Sequence, residues 1–453
     1  MNLLNYAKTS LDVLLTFLFF FSFPCNVFYR SSVLALPIIL LLVAFNRKTM
    51  QKVYALVRTS QVWRSLAWPL IMAIYTCLWT RILQAFDDSL VRSSLIYFAF
   101  LVGSFLLYCH LSRRHGPLGV LRIIFYVFVV QSVIQIISFV WEPFLQLSRE
   151  ISPIAESSDV LYGYITWRGF ALSGVKFFGL SVVYSLVFVC HVFFQKKNFD
   201  WKELVLLVVF VTGGLFSARS FFLGILVALG VLVLSSRGLK TIFKLTLGAI
   251  LLIFAFPIIA PIEVQEKFSG QLFPWLFEFY HSYQNTGKAT VKSFNALMDG
   301  HHFALTAKQI FLGDGCYETF DGMPYGDTDA GYWRVLLFGG IPYLLLRVFF
   351  ILRVLRPIYL LRLRSAKMLF FSLFGMLILF EVKGDVLGGL TMMTMCLFIF
   401  SMSVHELNLT WHSGARLGVH GWVFPKLFPR NLGVARIQQY LQESPKQASP
   451  KKI

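Results

Sequence analysis

Charge is scarce in this chain, 14% of residues against 57% hydrophobic, and the shortage is lopsided, with 22 acidic residues facing 41 basic ones. A soluble domain needs more charge than this to keep its surface wetted, so water is excluded as the main solvent. Strict apolar–polar alternation is also missing. The hydrophobic runs are long and unalternated where a membrane barrel needs alternating ten-residue segments, so helices are expected. Cysteine is sparse: of six, Cys77, Cys109, Cys190 and Cys396 fall within predicted helices, and only Cys25 and Cys316 lie outside. No metal or disulfide framework follows, and the last two read either as free thiols or as a pair facing an oxidising compartment. A cleavable leader is not expected, because the first apolar run, Leu11 to Phe28, lacks a small-residue cleavage site. What abounds is phenylalanine, 48 residues, which suits helix surfaces bathed in lipid.

Taking about 20 apolar residues per crossing, the sequence predicts an all-α polytopic integral membrane protein of about twelve transmembrane helices. They lie near 10–28, 32–46, 66–83, 93–112, 119–140, 175–195, 202–216, 220–236, 241–260, 334–352, 367–382 and 386–404. Basic residues are retained on the cytoplasmic side and so set the direction. They gather in alternate connections: Arg47 to Arg64, Arg113 and Arg114, Lys196 to Lys202, Arg237 and Lys240, Arg353 to Arg364, and the tail. Both termini are therefore expected in the cytoplasm, with a membrane domain over 1–404 and a basic tail over 405–453. The net charge of +19 is then topology and contact with anionic lipid, and nucleic acid is not an expected partner. Segment 47–65 reads either as an amphipathic helix on the inner surface or as a plain basic loop.

Two larger loops, 141–174 and 261–333, are expected on the outer, periplasmic face. Three features there carry chemistry. Before the sixth span stands Tyr164-Ile-Thr-Trp-Arg168-Gly169, followed by Gly174: an arginine with glycines that admit a phosphate-bearing headgroup, or simply an interfacial arginine. Gly213-Gly214-Leu-Phe-Ser217-Ala218-Arg219-Ser220 joins two short spans so tightly that Arg219 sits at the membrane boundary. A charge there either pairs with an acid such as Glu381 or Asp385 or receives an anionic substrate. The third feature runs from His301-His302 through Lys308, Gly313-Asp314-Gly315 and Glu318 to Asp327-Thr-Asp329-Ala-Gly331-Tyr332-Trp333-Arg334, then Gly339-Gly340-Ile341-Pro342. The adjacent histidines diverge on a helix and do not make a metal site. Tyr332 and Trp333, at a span entrance, suit the interfacial aromatic belt.

In the combined order of these motifs the chain resembles the O-antigen polymerases and O-antigen ligases, membrane glycosyltransferases of bacterial surface polysaccharide, over about half its length. Arg168 and Gly169, Ser217, Arg219 and Ser220, Gly313 and Gly315, and Asp329 to Ile341 carry it. Ligases usually have histidine and asparagine where Asp329 and Ala330 stand, and Pro-Asn near Gly174, Val175 and Lys176, so the resemblance points to a polymerase, with ligase as the alternative. Pro342 also departs from the family pattern, in which that position is often small.

The resemblance implies a GT-C-like helical fold in a bacterial cytoplasmic (inner) membrane. It also implies a lipid-linked oligosaccharide as substrate, carried on polyprenyl diphosphate, with no metal or other cofactor. A chain-length regulator and a flippase are the partners it suggests. Arg168 and Arg219 would neutralise the departing diphosphate, and Asp329, Glu318, His301 or His302 would accept the proton of the attacking hydroxyl, with Asp329 preferred as the nearest to the helix mouth. Gly169, Lys176, Ser217, Ser220, His301, His302, Glu318, Tyr332 and Arg334 are the expected substrate contacts. Within the spans, Arg347 and Arg122 are expected to snorkel to the inner surface. The absence of a charged relay weighs against a second class of function, a lipid-linked oligosaccharide flippase or transporter. A purely structural membrane protein leaves the large polar loop without a role.

Overall fold

The computed structural model describes residues 3–25, 29–85, 87–153, 168, 170–194, 200–234, 261–287, 305–361 and 364–412. The apolar runs become helices: α1 (Leu3–Phe21), α2 (Ser31–Ala44), α3 (Arg47–Val57), α4 (Ser60–Ile82), α5 (Ser89–Val140), α6 (Glu142–Ile151), α7 (Phe177–Phe194), α8 (Trp201–Ser217) and α9 (Phe221–Leu234). Short pieces follow, α10 (Ile262–Lys267), α11 (Phe273–Leu276), α12 (Glu278–Thr286) and α13 (Ala307–Phe311). The chain then returns to long helices in α14 (Gly331–Leu360), α15 (Arg364–Glu381) and α16 (Thr391–His412). Departures from α structure among the described residues are small: an antiparallel ribbon, β1 (Pro24–Cys25) with β2 (Tyr29–Arg30), an isolated bridge between Glu318 and Pro324, and a π-helical turn at Phe268–Leu272.

This is a helical membrane protein. By length and composition α5, α7, α14 and α16 can cross a bilayer, as can α2 and α3 together if their 98° bend counts as one broken span. The described residues therefore do not reach twelve crossings. Helices α4, α8, α9 and α15 stand near expected positions, and α1 near the first, without being counted among those candidate spans. The expected span 241–260 lies outside the described residues. Helix α5 is really two helices. At Gly116 the backbone leaves helical geometry (φ 72°, ψ 166°) and Pro117 follows with no N–H to give, so the run contains the expected pair 93–112 and 119–140.

Three boundaries move. The first helix spans 3–21 rather than 10–28, because Ser22 takes a positive φ and Pro24 opens the ribbon. Segment 47–65 resolves in favour of a helix, which Asn46 caps by accepting the Thr49 N–H at 3.3 Å. The last helix runs to His412, past the expected end of the span at 404. All six cysteines are free, so Cys25 and Cys316 are not bonded.

One continuous apolar core joins α1, α5, α7, α14 and α16. Phenylalanine fills it: the Phe210 ring meets Phe125 at 5.1 Å, Tyr184 at 5.0 Å and Phe188 at 6.0 Å. The glycines of the Gly213-Gly214 motif serve packing. A Cβ on Gly213 would fall 2.2 Å from Ser132 Oγ, so α8 crosses α5 at a contact only glycine permits.

The two ends of the bundle differ in chemistry. At one end Arg113 bonds to Asn46 and Thr49, Lys52 pairs with Glu406 at 2.6 Å, and Arg353 reaches the Ser60 carbonyl at 3.4 Å. Three of the segments that gather basic residues in sequence, those of Lys52, Arg113 and Arg353, thus lie at this end. At the other end lie Asp87, the 314–330 loop, Arg168, Arg219 and the turn between α15 and α16.

A candidate carboxylate cleft and arginine pair

The floor of this second end is built by a break in α14. Pro342 cannot donate to the carbonyl four residues back, Phe338, and Gly340 at φ 60° takes the chain out of register, which frees the Leu337 carbonyl as well. Both carbonyls find donors in the Gly313-Asp314-Gly315 turn: Asp314 N–H gives to Leu337 at 2.6 Å and Gly315 N–H to Phe338 at 2.9 Å. The turn needs its glycines. Gly313 and Gly315 sit at φ 77° and 76°, and a Cβ on Gly313 would lie 2.4 Å from the Phe338 oxygen. The departure at Pro342 is thus matched by the loop that docks on it.

A second clamp fixes the next residues. The Asp87 carboxylate, just before α5, accepts N–H groups from Tyr317 at 2.6 Å, Glu318 at 3.0 Å and Ser89 at 2.9 Å. Loop and helix, some 230 positions apart, are tied by one side chain.

Between them opens a cleft of about 550 Å³, lined by Tyr317, Glu318, Asp329, Arg334, Lys383 and Asp385, with Ser93 and Tyr97 of α5 opposite. Glu318 and Asp329 are exposed at its mouth. Arg334 lies over the Tyr317 ring at 4.0 Å, which holds its guanidinium flat against the wall. The Tyr317 hydroxyl donates to Asp385. Behind the wall Arg347 pairs with Asp385 at 2.7 Å, the two side chains being 0% and 5% exposed. Arg347 also stacks over Tyr343 at 4.8 Å. Gly388 makes room for it, since a Cβ there would lie 2.4 Å from the guanidinium carbon. Burial pushes the Asp385 carboxyl up to about 7, opposed by the N–H groups of Gly389 and Gly388. Glu381 organises the turn by accepting N–H groups from Val386 and Leu387, each at 2.7 Å.

One sequence expectation fails here. Arg347 does not snorkel: Asp385 from the next connection meets it inside the bundle, where a buried charge needs a partner more than it needs water. A buried ion pair is therefore present at this point of the bundle.

Beside the cleft the two motif arginines meet around one indole. Arg168 lies 3.8 Å from the Trp275 ring centre and Arg219 5.1 Å, and both are drawn in by the ring face. Arg219 donates to the Trp275 carbonyl at 3.1 Å and pairs with Glu278. Its acid is therefore Glu278 of α12, and neither Glu381 nor Asp385 as expected. Lys383 connects the two groups. It lines the cleft mouth, and desolvation first, then the positive charges of Arg219 and Arg168, hold its ammonium below the usual lysine range.

The remaining expected contacts divide. Ser220 shares a hydrogen bond of 2.5 Å with Ser181 near Arg219. Ser217 is buried, donating to the Gly213 carbonyl at 2.9 Å and accepting from Gln135 at 3.2 Å, which makes it a packing residue. Lys176 rests over Phe170 at 4.9 Å, and Tyr332 packs beside Trp333 at 5.0 Å, away from the cleft lining, as suits the aromatic belt. Gly169, His301 and His302 lie outside the described residues.

Asp87, Arg347 and Lys383 were not singled out from sequence as site residues, whereas Trp275 and Tyr317 stand out there only as aromatics of the acidic loop that could offer ring faces to a sugar. A signal for some of them exists: Glu381-Val-Lys383-Gly-Asp385 packs three charges between two apolar runs, and Arg347 stands alone inside another. No family model, no curated protein and no solved structure matches this chain.

Proposed function

We propose that this chain is a membrane glycosyltransferase that joins oligosaccharide repeat units carried on polyprenyl diphosphate, a polysaccharide polymerase of the outer face of the cytoplasmic membrane. The observation that supports it is the convergence of Arg168 and Arg219 on Trp275, with Lys383 leading from that pair to a cleft lined by carboxylates. Glycosyl transfer from a diphosphate needs these two environments side by side. An acceptor hydroxyl in the cleft attacks the sugar C1, the bond from C1 to the diphosphate oxygen breaks, and the electron pair leaves with polyprenyl diphosphate. Arg168, Arg219 and Lys383 neutralise that growing charge. The hydroxyl proton passes to Asp329, with Glu318 as the other carboxylate in reach of the cleft. The products are a glycan one unit longer and the free polyprenyl diphosphate.

The test is the glycan gel ladder of a cell lacking the protein, with extraction of polyprenyl-linked sugars, complemented by the wild-type chain or by Arg168→Ala, Arg219→Ala or Asp329→Asn. A polymerase leaves single repeat units attached when it is lost; a ligase leaves long polymer stranded on the carrier. Normal ladders from both arginine variants at normal expression would sink the diphosphate clamp. The second reading, a flippase or transporter of the same lipid-linked oligosaccharide, gains from the Arg347–Asp385 pair inside the bundle. It predicts unpolymerised units accumulating on the inner leaflet instead.

A further inference from the structure

At the opposite, basic end of the bundle, three arginines from two distant helices gather around the start of α4. Arg353 of α14 donates Nη2 to the Ser60 carbonyl at 3.4 Å, and Gln61 Nε2 donates back to the Arg353 carbonyl at 3.1 Å. That docking brings Arg64 of α4 and Arg356 of α14 into electrostatic reach of Arg353. The Nε of Arg353 is buried with no hydrogen-bond partner among the described residues. Nor, among those residues, does any carboxylate lie within ion-pair distance of Arg64, Arg353 or Arg356. Glu406, at the same end, is already held by Lys52 and by the Tyr108 hydroxyl, each at 2.6 Å. Three like charges held at one place by the docking of Arg353 on α4 repel one another, and an anion among them lowers that cost.

The surroundings say which kind of anion. Trp63, 65% exposed, stands next to Arg64 on α4, and Tyr359, 43% exposed, lies one turn beyond Arg356 on α14 with its ring beside Phe370 and Phe371 of α15. Amphipathic rings beside exposed cations mark the boundary between headgroups and acyl chains. Helix α3, turned 98° from α2, adds exposed Arg47, Lys48 and Arg58 to the same end. We propose that Arg64, Arg353 and Arg356 form a binding site for the phosphodiester headgroup of an anionic phospholipid, with Trp63 and Tyr359 against its glycerol and upper chains. Such a site ties α4 to α14, the helix whose outer half forms the floor of the cleft, and it stands whether or not the chain is a glycosyltransferase.

The full chain, purified in neutral detergent, is titrated with phosphatidylglycerol or with phosphatidylcholine while thermal unfolding is followed. Phosphatidylglycerol is expected to raise the unfolding temperature, and Arg64→Gln/Arg356→Gln to need about thirtyfold more of it, roughly fivefold for each cation lost. Both substituted side chains are exposed, and monodisperse elution verifies folding; should the variant fail that check, the comparison of the two lipids on the wild-type chain decides. Equal stabilisation by phosphatidylcholine overturns the proposal, as does an unchanged response in the folded variant. Inorganic phosphate at the lipid's concentration is expected to do nothing, and a shift matching that of the lipid would overturn the headgroup assignment.

Discussion

Replacing Arg347 by methionine tests the view that the cleft wall is held by a buried ion pair. The substitution roughly keeps the length of the side chain but removes the guanidinium that, among the described residues, pairs with Asp385 at 2.7 Å from a position with no solvent exposure. Removing one partner of such a pair typically costs about 3–5 kcal/mol, because the other charge is left in a medium that cannot solvate it. Here the remaining partners of Asp385, the Gly389 N–H at 2.8 Å and the Tyr317 hydroxyl, cushion the loss, and the carboxyl escapes part of it by taking up a proton. The expected cost is therefore at the lower end, about 3 kcal/mol. Protonation also gives the effect a pH signature. A carboxyl whose folded pKa is raised favours the fold while protonated, so stability is fully present below its unfolded value and is lost as pH rises through the folded one. With burial already holding the carboxyl at about 7 in the wild-type chain, both chains are expected to lose stability as pH rises from about 4 to 7, and Arg347→Met, which lacks the balancing cation, to go on losing it above pH 7. Equilibrium unfolding in mixed micelles measures both quantities. Adding Asp385→Leu removes the stranded charge, and the double variant is expected to recover most of the loss. A single variant that costs under about 1 kcal/mol, or a double variant no more stable than the single one, would refute the reasoning.

Other substitutions probe the neighbouring devices. Gly388→Ala places a methyl 2.4 Å from the Arg347 guanidinium and is expected to cost about 1–3 kcal/mol in the same unfolding assay, with the loss largely relieved when Arg347→Met is present. Gly313→Ala combines a φ of 77° with a clash against the Phe338 carbonyl, so the 314–330 loop should come away from α14 and be cut faster in limited proteolysis. Asp87→Ala strands the Tyr317 and Glu318 N–H groups and is expected to give the same proteolytic signature, while Asp87→Asn, which keeps one acceptor oxygen, gives a weaker one. Trp275→Ala takes away the ring shared by Arg168 and Arg219, and is expected to shorten or abolish polymer in the gel ladder without loss of expression.

The apolar runs alone determined that the chain is helical and lies in a membrane, because burying backbone in lipid leaves a long apolar segment no alternative to a helix. They also located most helices to within a few residues, and three of the basic segments, around Lys52, Arg113 and Arg353, do meet at one end. Local chemistry marked Arg168, Arg219, Glu318, Asp329 and Arg334, since charges beside span entrances stand out against an apolar background. Partners were another matter. Arg219 meets Glu278 and not the acids nearest to expectation, and Arg347 and Asp385, 38 positions apart, become a buried pair. Trp275 collects two arginines from separate loops, and Asp87 holds a loop some 230 positions away. Each of these depends on which helix packs against which, a choice set by shape at contacts such as Gly213 on Ser132 and the Gly313 turn on broken α14. Sequence fixes the period and polarity of a helix one segment at a time; only the packed bundle decides which charges face one another.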